Sequence, residues 1–229
     1  MKGVVVVAAL MLLSACVTQH HRLAENLARP DGRAPKILVL PVDAELSELS
    51  FGGAPTTRQD WTIAARDNMN NSLRQIFAEK TLPATFRDVD VATSDDQAKL
   101  LRLHAAVGQS IMRHQYDGPT SLPTKIGSFE WSLGPTVSVL AGDSQADYML
   151  AIYVRDSYSS ASRVAAQVIA AAIFGVAIQG GVQVGFASLV DMRTGEIVWF
   201  NRLMRGAGDL RTAGPARESI EMLLAGLPQ

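Results

Sequence analysis

Between Val164 and Val190 the chain carries no charged side chain. In a protein that is 19% charged, 27 such positions in a row restrict the fold more than any other feature. A stretch of this kind crosses a bilayer, lies inside a core, or rests against something apolar. Gly180-Gly181 interrupts it, and beyond that point Val182, Val184 and Phe186 alternate as in a strand. The helical part is then Val164–Gln179, about 24 Å of helix against a hydrocarbon core of ~30 Å, too short to span. Its apolar residues Val168, Ile169, Ile173, Phe174, Val176 and Ile178 cover more of the circumference than the single stripe of a surface helix. Three placements fit: inside its own domain, against a partner or a second copy, or against the membrane itself.

The start of the chain has an equally pointed pattern. Lys2 precedes an uninterrupted apolar run, Val4–Leu13, followed by Ser14-Ala15-Cys16. A basic start, a short apolar stretch and small residues at a cut site mark a secretory signal. The tetrad Leu13-Ser14-Ala15-Cys16 resembles a bacterial lipobox. That resemblance implies removal of residues 1–15 and acylation of Cys16 by a diacylglycerol. It explains how one cysteine, useless for an intrachain disulfide or a Cys-built metal site, has a role. Two or more acyl chains give stable anchoring, because each buried CH₂ contributes about 0.8 kcal/mol. Val17, rather than Asp, follows the cysteine, which by the rule of that family directs the protein to the outer membrane, facing the periplasm.

Residues 16–35 are polar, with His20, His21, Arg22, Arg29 and Pro30, and read as a flexible tether. The remaining 36–229 fit one domain. Ile37–Val42 is a continuous apolar run typical of a buried strand. Thr57 and Asp60 resemble a capping box ahead of a helix carrying Trp61, Ala65, Met69, Leu73, Ile76 and Phe77 at helical spacing. Thr85–Val91 reads as a second strand, and Asp95-Asp96 opens a helix with Leu100, Leu103, Val107 and Ile111 on one face. Gln115–Glu130, rich in Gly and Pro, reads as a long loop, and Gly134–Gly142 as a short helix. Asp147–Val154 is apolar on both faces, another interior strand. Val182–Met192 and Glu196–Met204 form a hairpin whose turn requires the positive φ that Gly195 supplies, and a helix follows Gly214-Pro215. The expected fold is α/β or α+β: a mixed sheet of about five strands flanked by helices, with the hairpin and the terminal helix in its C-terminal half.

An early strand "KILVLPVD" before a long helix, then "ADYMLAIYVRD" followed by a "V.L.D..TGE..W" hairpin through Val184, Leu189, Asp191, Thr194, Gly195, Glu196 and Trp199, resembles the curli secretion lipoproteins (CsgG-like) and the amino-terminal domain of TolB. The likeness spans Ile37–Arg205 and implies a periplasmic envelope module, often oligomeric or bound to a larger partner, with no catalytic residue to carry over. Two long alternating segments of the kind that build membrane β-hairpins are not seen, which argues against a pore.

Chemistry is sparse. With 21 basic and 22 acidic residues there is no electrostatic reason to expect nucleic acid. His104 and His114 lie ten residues apart on different faces of one helix and cannot share a metal, and His20 and His21 fall in the tether. Asp88 and Asp90 read as a solvated strand edge. Ser157, Ser159, Ser160 and Ser162 have no histidine or lysine nearby in sequence. The loop 44–57, with Ser47, Ser50, Gly52 and Gly53, lies where open α/β sheets bind ligands. The expectation is therefore a non-catalytic lipoprotein needing no cofactor and no metal. It would bind an envelope protein through Val168, Ile169, Ile173 and Phe174 and through Tyr116 and Lys125 of the long loop. The alternatives are a homo-oligomeric secretion-channel subunit and an envelope hydrolase.

Overall fold

The computed structural model describes residues 21–23, 35–87, 94–116, 119–125, 127–174 and 181–228. The signal segment 1–15, Cys16, most of the tether, Asp88, Asp90, Val176 and Ile178 lie outside them. The elements are strands β1 (His21–Leu23), β2 (Ile37–Val39), β3 (Asp43–Leu49), β4 (Pro55–Thr57), β5 (Ala84–Phe86), β6 (Tyr148–Ser159), β7 (Gln183–Asp191) and β8 (Ile197–Arg205), and helices α1 (Gln59–Glu79), α2 (Asp95–His114), α3 (Ala161–Phe174) and α4 (Ala213–Leu223). They form an eight-stranded mixed sheet in the order β1-β8-β7-β6-β2-β5, with β3 and β4 added beside β6 beyond the end of β2. A strand is found in each of the five expected segments, together making the path β8-β7-β6-β2-β5; β2 stops at Val39, short of the expected Val42, and residues 88–91 of the expected Thr85–Val91 lie outside the described residues.

The centre is β6, whose twelve residues pair in parallel with β2 along one half and with β3 along the other. From Val39 to Asp43 the β2–β3 side uses four steps where β6, from Leu150 to Tyr153, uses three. Pro41 stands at this bulge, having no N–H to give a ladder. The extra residue changes the side-chain parity. Ile37 and Val39 face the same core as Val42, Ala44 and Leu46, although an unbroken strand would have turned the latter three to the other side. The acidic residues of β3 hide this pattern in the sequence, and a segment expected to be loop is strand.

Helices cover both faces. On one, Ala65, Met69, Leu73, Ile76 and Phe77 of α1 and Ala216, Ile220 and Leu223 of α4 pack against Leu150, Ile152 and Leu189. On the other, Leu100 and Ile111 of α2, with Leu133, Val137 and Leu140, cover Leu38, Met149, Phe186 and Phe200. Ser94 caps α2: its side chain accepts from the Gln97 N–H while the Gln97 side chain accepts from the Ser94 N–H. At α1 the expected cap is not formed. Thr57 is taken into β4 and its hydroxyl donates to Glu45 at 3.2 Å, while Arg58 is the cap residue, which accepts no helix N–H on its side chain and instead donates to the Asp60 carboxylate of the first turn. At the other end of α4, Asn201 of β8 donates to the carbonyls of Met222 and Leu223 at 2.8 and 3.1 Å, satisfying orphan acceptors of the last turn.

Within the expected tether, His21–Leu23 pairs antiparallel with Trp199–Asn201 as an edge strand. The hairpin turn between β7 and β8 is closed by Asp191, whose carboxylate accepts the N–H groups of Arg193 and Thr194. Gly195 there has φ +77°, and a Cβ would lie 2.0 Å from the Gly134 carbonyl oxygen, so glycine is required twice over.

Candidate functional site

One end of the sheet gathers what the cores leave out. There β3 ends at Leu49 opposite Ser159 of β6, and β7 begins at Gln183 opposite Arg205 of β8. Helix α3 emerges from this end after Ser160, whose Oγ accepts the Arg163 N–H and whose carbonyl accepts the Val164 N–H. No residue of α3 whose side chain is described is buried. Val164, Val168, Ile169 and Ile173 are 46%, 64%, 56% and 67% exposed. Two contacts fix the base of the helix. The Arg163 guanidinium donates to the Phe51 carbonyl at 3.2 Å, and the Gln167 amide donates to Ser159 Oγ at 3.2 Å. Phe51, at the tip of the β3–β4 hairpin, and Met204, near the end of β8, are also exposed, at 67% and 64%. Among the described residues, exposed large apolar side chains therefore gather at this end.

Of the six residues expected to bind a partner, Val168, Ile169 and Ile173 share this surface, and the side chain of Phe174 lies outside the described residues. The other two are elsewhere and serve the fold. Tyr116 is buried beneath the Arg202 guanidinium, 4.0 Å from its ring centre. The Lys125 ammonium donates to the Glu130 carbonyl at 2.7 Å and sits 4.9 Å from the centre of the Trp131 ring. Tyr116 is thus held against β8 and Lys125 against the far end of its own loop. Phe51 and Met204 were not foreseen; a phenylalanine ahead of Gly52-Gly53 in a polar hairpin was the available signal. Polar groups of that hairpin close its turn: Ser50 Oγ accepts the Ala54 N–H, and its carbonyl accepts that of Gly53.

Behind the first turn of α3 is a cleft of about 280 Å³ lined by the end of β6, Gly181, Gln183 and the Gly206–Gly208 loop. Asp156 lies buried in its wall, and burial pushes its carboxyl above the ordinary range. All its bonds are made. Oδ2 accepts from Tyr158 Oη at 2.5 Å and from Gln183 Nε2 at 3.0 Å, and Oδ1 accepts from the Ser157 N–H at 2.7 Å. Tyr158 Oη in turn accepts the Leu210 N–H. Burial and the neighbouring Asp156 carboxylate raise the Tyr158 hydroxyl, so it stays protonated. Arg205 donates to Glu218 and Ser219, and Arg211 to Asp209. The cations of the cleft are matched to their own neighbours, and its acid locks β6, β7 and the Leu210 segment together.

A serine–histidine pair does exist: His104 Nε2 is 2.6 Å from Ser188 Oγ. Both are buried, in the core between α2 and the sheet, and neither lines a described cavity. Burial lowers His104 to about 4, so at neutral pH it is an uncharged core hydrogen-bonding group. The serines 157, 159 and 160 are engaged with Val182, Gln167 and Arg163 backbone or side-chain groups. Among the described residues no cluster of His, Cys, Asp and Glu could hold a metal, and no helix is long and apolar enough to cross a membrane.

No protein-family model and no curated protein matches this sequence. Among solved structures, it is similar to the PelC dodecamer from Paraburkholderia phytofirmans, at 14% identity over 91% of this chain and 94% of that one, with a TM-score of 0.42. It is also similar to lipoprotein GNA1162 from Neisseria meningitidis (16% identity, 74% and 81% covered, TM-score 0.30). A third is the LpoB C-terminal domain from Salmonella enterica (14%, 76% and 86%, TM-score 0.29).

Proposed function

We propose that this protein is a non-catalytic lipoprotein of the bacterial envelope, anchored by acylated Cys16 to the periplasmic face of the outer membrane, that presents an apolar binding surface to another envelope component. The observation that carries the proposal is the exposed face of α3, joined by Phe51 and Met204 at the same end of the sheet. A concentration of exposed apolar side chains of this kind marks an interaction site. Anchoring supports it by confining the surface to a thin shell beside the bilayer, which raises its effective concentration toward anything held there. The matched charges of the Asp156 cleft and the sealed His104–Ser188 pair favour a binding role over hydrolysis.

The test is Cys16→Ala in the native host, followed by fractionation and intact-mass analysis. Wild-type protein is expected in the outer membrane with a diacylated N-terminal cysteine, and the variant is expected as an uncleaved precursor or in the periplasm. A wild-type protein whose mature mass carries no diacylglycerol, or a variant processed and fractionating like wild type, would overturn the anchor. Native mass spectrometry of the detergent-extracted protein separates a single copy from the ring expected of a channel subunit.

A further inference from the structure

The direction of β1 links the two halves of that proposal. Residues His21, Arg22 and Leu23 pair with Asn201, Phe200 and Trp199, so moving back along β1 toward the N-terminus moves along β8 toward Arg205. That is the end of the sheet from which α3 emerges, because Arg205 pairs with Gln183 and β6 leads through Ser159 and Ser160 into α3. From Asn201 to Arg205 is about 13 Å of strand. Four residues separate Cys16 from His21, a reach of about 17 Å. β1 thus runs back toward that end, and the chain length between His21 and Cys16 is sufficient to reach it.

We infer that the apolar end of the sheet, made of Phe51, Val164, Val168, Ile169, Ile173 and Met204, seats directly on the lipid bilayer that holds the anchor. This rests on the acylation of Cys16. Helix α3 has the composition for such a contact. Its only charged residue is Arg163 in the first turn, tied back to Phe51 O, and no acid occurs from Ala161 to Phe174. At fourteen residues it is about 21 Å long, short of the ~30 Å core, so it lies in the interface rather than across the membrane. An acylated N-terminus alone would leave the body free to turn about its leash. A second, apolar contact at the same end fixes which face looks at the membrane and leaves the β7–β8 turn, at the other end of the sheet, pointing into the periplasm.

The test uses the full acylated protein in vesicles of phosphatidylethanolamine and phosphatidylglycerol. With Cys16 acylated, a new cysteine is the only free thiol, so Ile169→Cys, Ile173→Cys and, at the opposite end, Arg193→Cys each take a single nitroxide label. The labels at 169 and 173 are expected to be reached by dissolved oxygen and screened several-fold from a water-soluble nickel chelate, relative to the label at 193. If they are as open to nickel as position 193, the end stands in water and the inference fails. If they are shielded from both reagents, protein covers α3 (a second copy or a partner), and the inference fails equally. Intact mass on the same sample keeps the two readings apart. An acylated protein with aqueous labels overturns only the seating, and a free Cys16 thiol overturns the anchor and the seating together.

Discussion

Helices α2 and α3 were built by opposite rules. In α2 the buried positions Leu100, His104, Gly108 and Ile111 recur at intervals of three and four, with Val107 half-buried beside them, while Leu103, expected on that face, is 41% exposed. The helix begins in a capping box with two acids in its first turn and ends with Arg113 and His114. In α3 the large apolar residues point outward, none of those described is buried, and its N-terminus rests on one serine. A helix that faces the core with its apolar side contributes to folding; one that faces away from it contributes to whatever meets it. The first belongs to the stability of the domain and the second to its employment.

Gly108→Leu is the hardest blow to that division. A Cβ at Gly108 would lie 2.0 Å from the Phe186 ring, which is stacked between Tyr153 and Phe200 at 4.9 and 5.2 Å and has nowhere to move. The loss is expected to be about 3 kcal/mol or more, read from urea or guanidinium midpoints. Next in size is the response to pH. His104 has a folded pKa of about 4 against 6.5 when unfolded, so as pH falls below 6.5 the unfolded state takes up a proton that the native state refuses. Stability therefore drops with acidification, by about 2 kcal/mol between pH 7 and pH 5 and about 3 by pH 4. The double variant His104→Leu, Ser188→Ala removes both hydrogen-bonding partners and is expected to flatten that slope. An unchanged slope would show that another group carries it.

Ser94→Ala tests the start of α2 and is expected to lose about 1 kcal/mol. On α3 the expectation reverses: Ile169→Ser or Ile173→Ser is expected to shift stability by less than about 0.5 kcal/mol, because both residues stay more than half exposed in the fold. A large loss there would mean that α3 is core after all, and the comparison would fall.

Much of the frame was legible because it depends on local chemistry. The apolar run at Ile37, the helical spacing from Trp61 to Phe77 and the Gly195 turn each follow from side-chain period and backbone freedom, and each element is found. The cap at Thr57 was misread because Ser and Thr serve strands as readily as helix starts, and pairing with β3 decided between them. Strand β3 was missed because Asp43, Glu45 and Glu48 mask an inward pair, Ala44 and Leu46, whose phase depends on a bulge that only the partner strand defines. For the site, the spacing of Val168, Ile169 and Ile173 marked an apolar helix but could not say which way it faced. Tyr116 and Lys125 looked available because burial against Arg202 of β8 and a bond to the Glu130 carbonyl are set by folding and not by neighbours in sequence.

The sequence by itself determined that this chain carries a lipobox-like cysteine, alternates strands with helices, and contains an apolar helix too short to span a membrane. Those are properties of neighbours along the chain, where period, length and residue type suffice. Only the tertiary structure decided that β1 runs back toward the α3 end, that Phe51 and Met204 lie at that end, and that the described large apolar side chains of α3 are exposed. Each of these depends on pairing between segments far apart in sequence, and a pairing partner is fixed only once the whole sheet has formed.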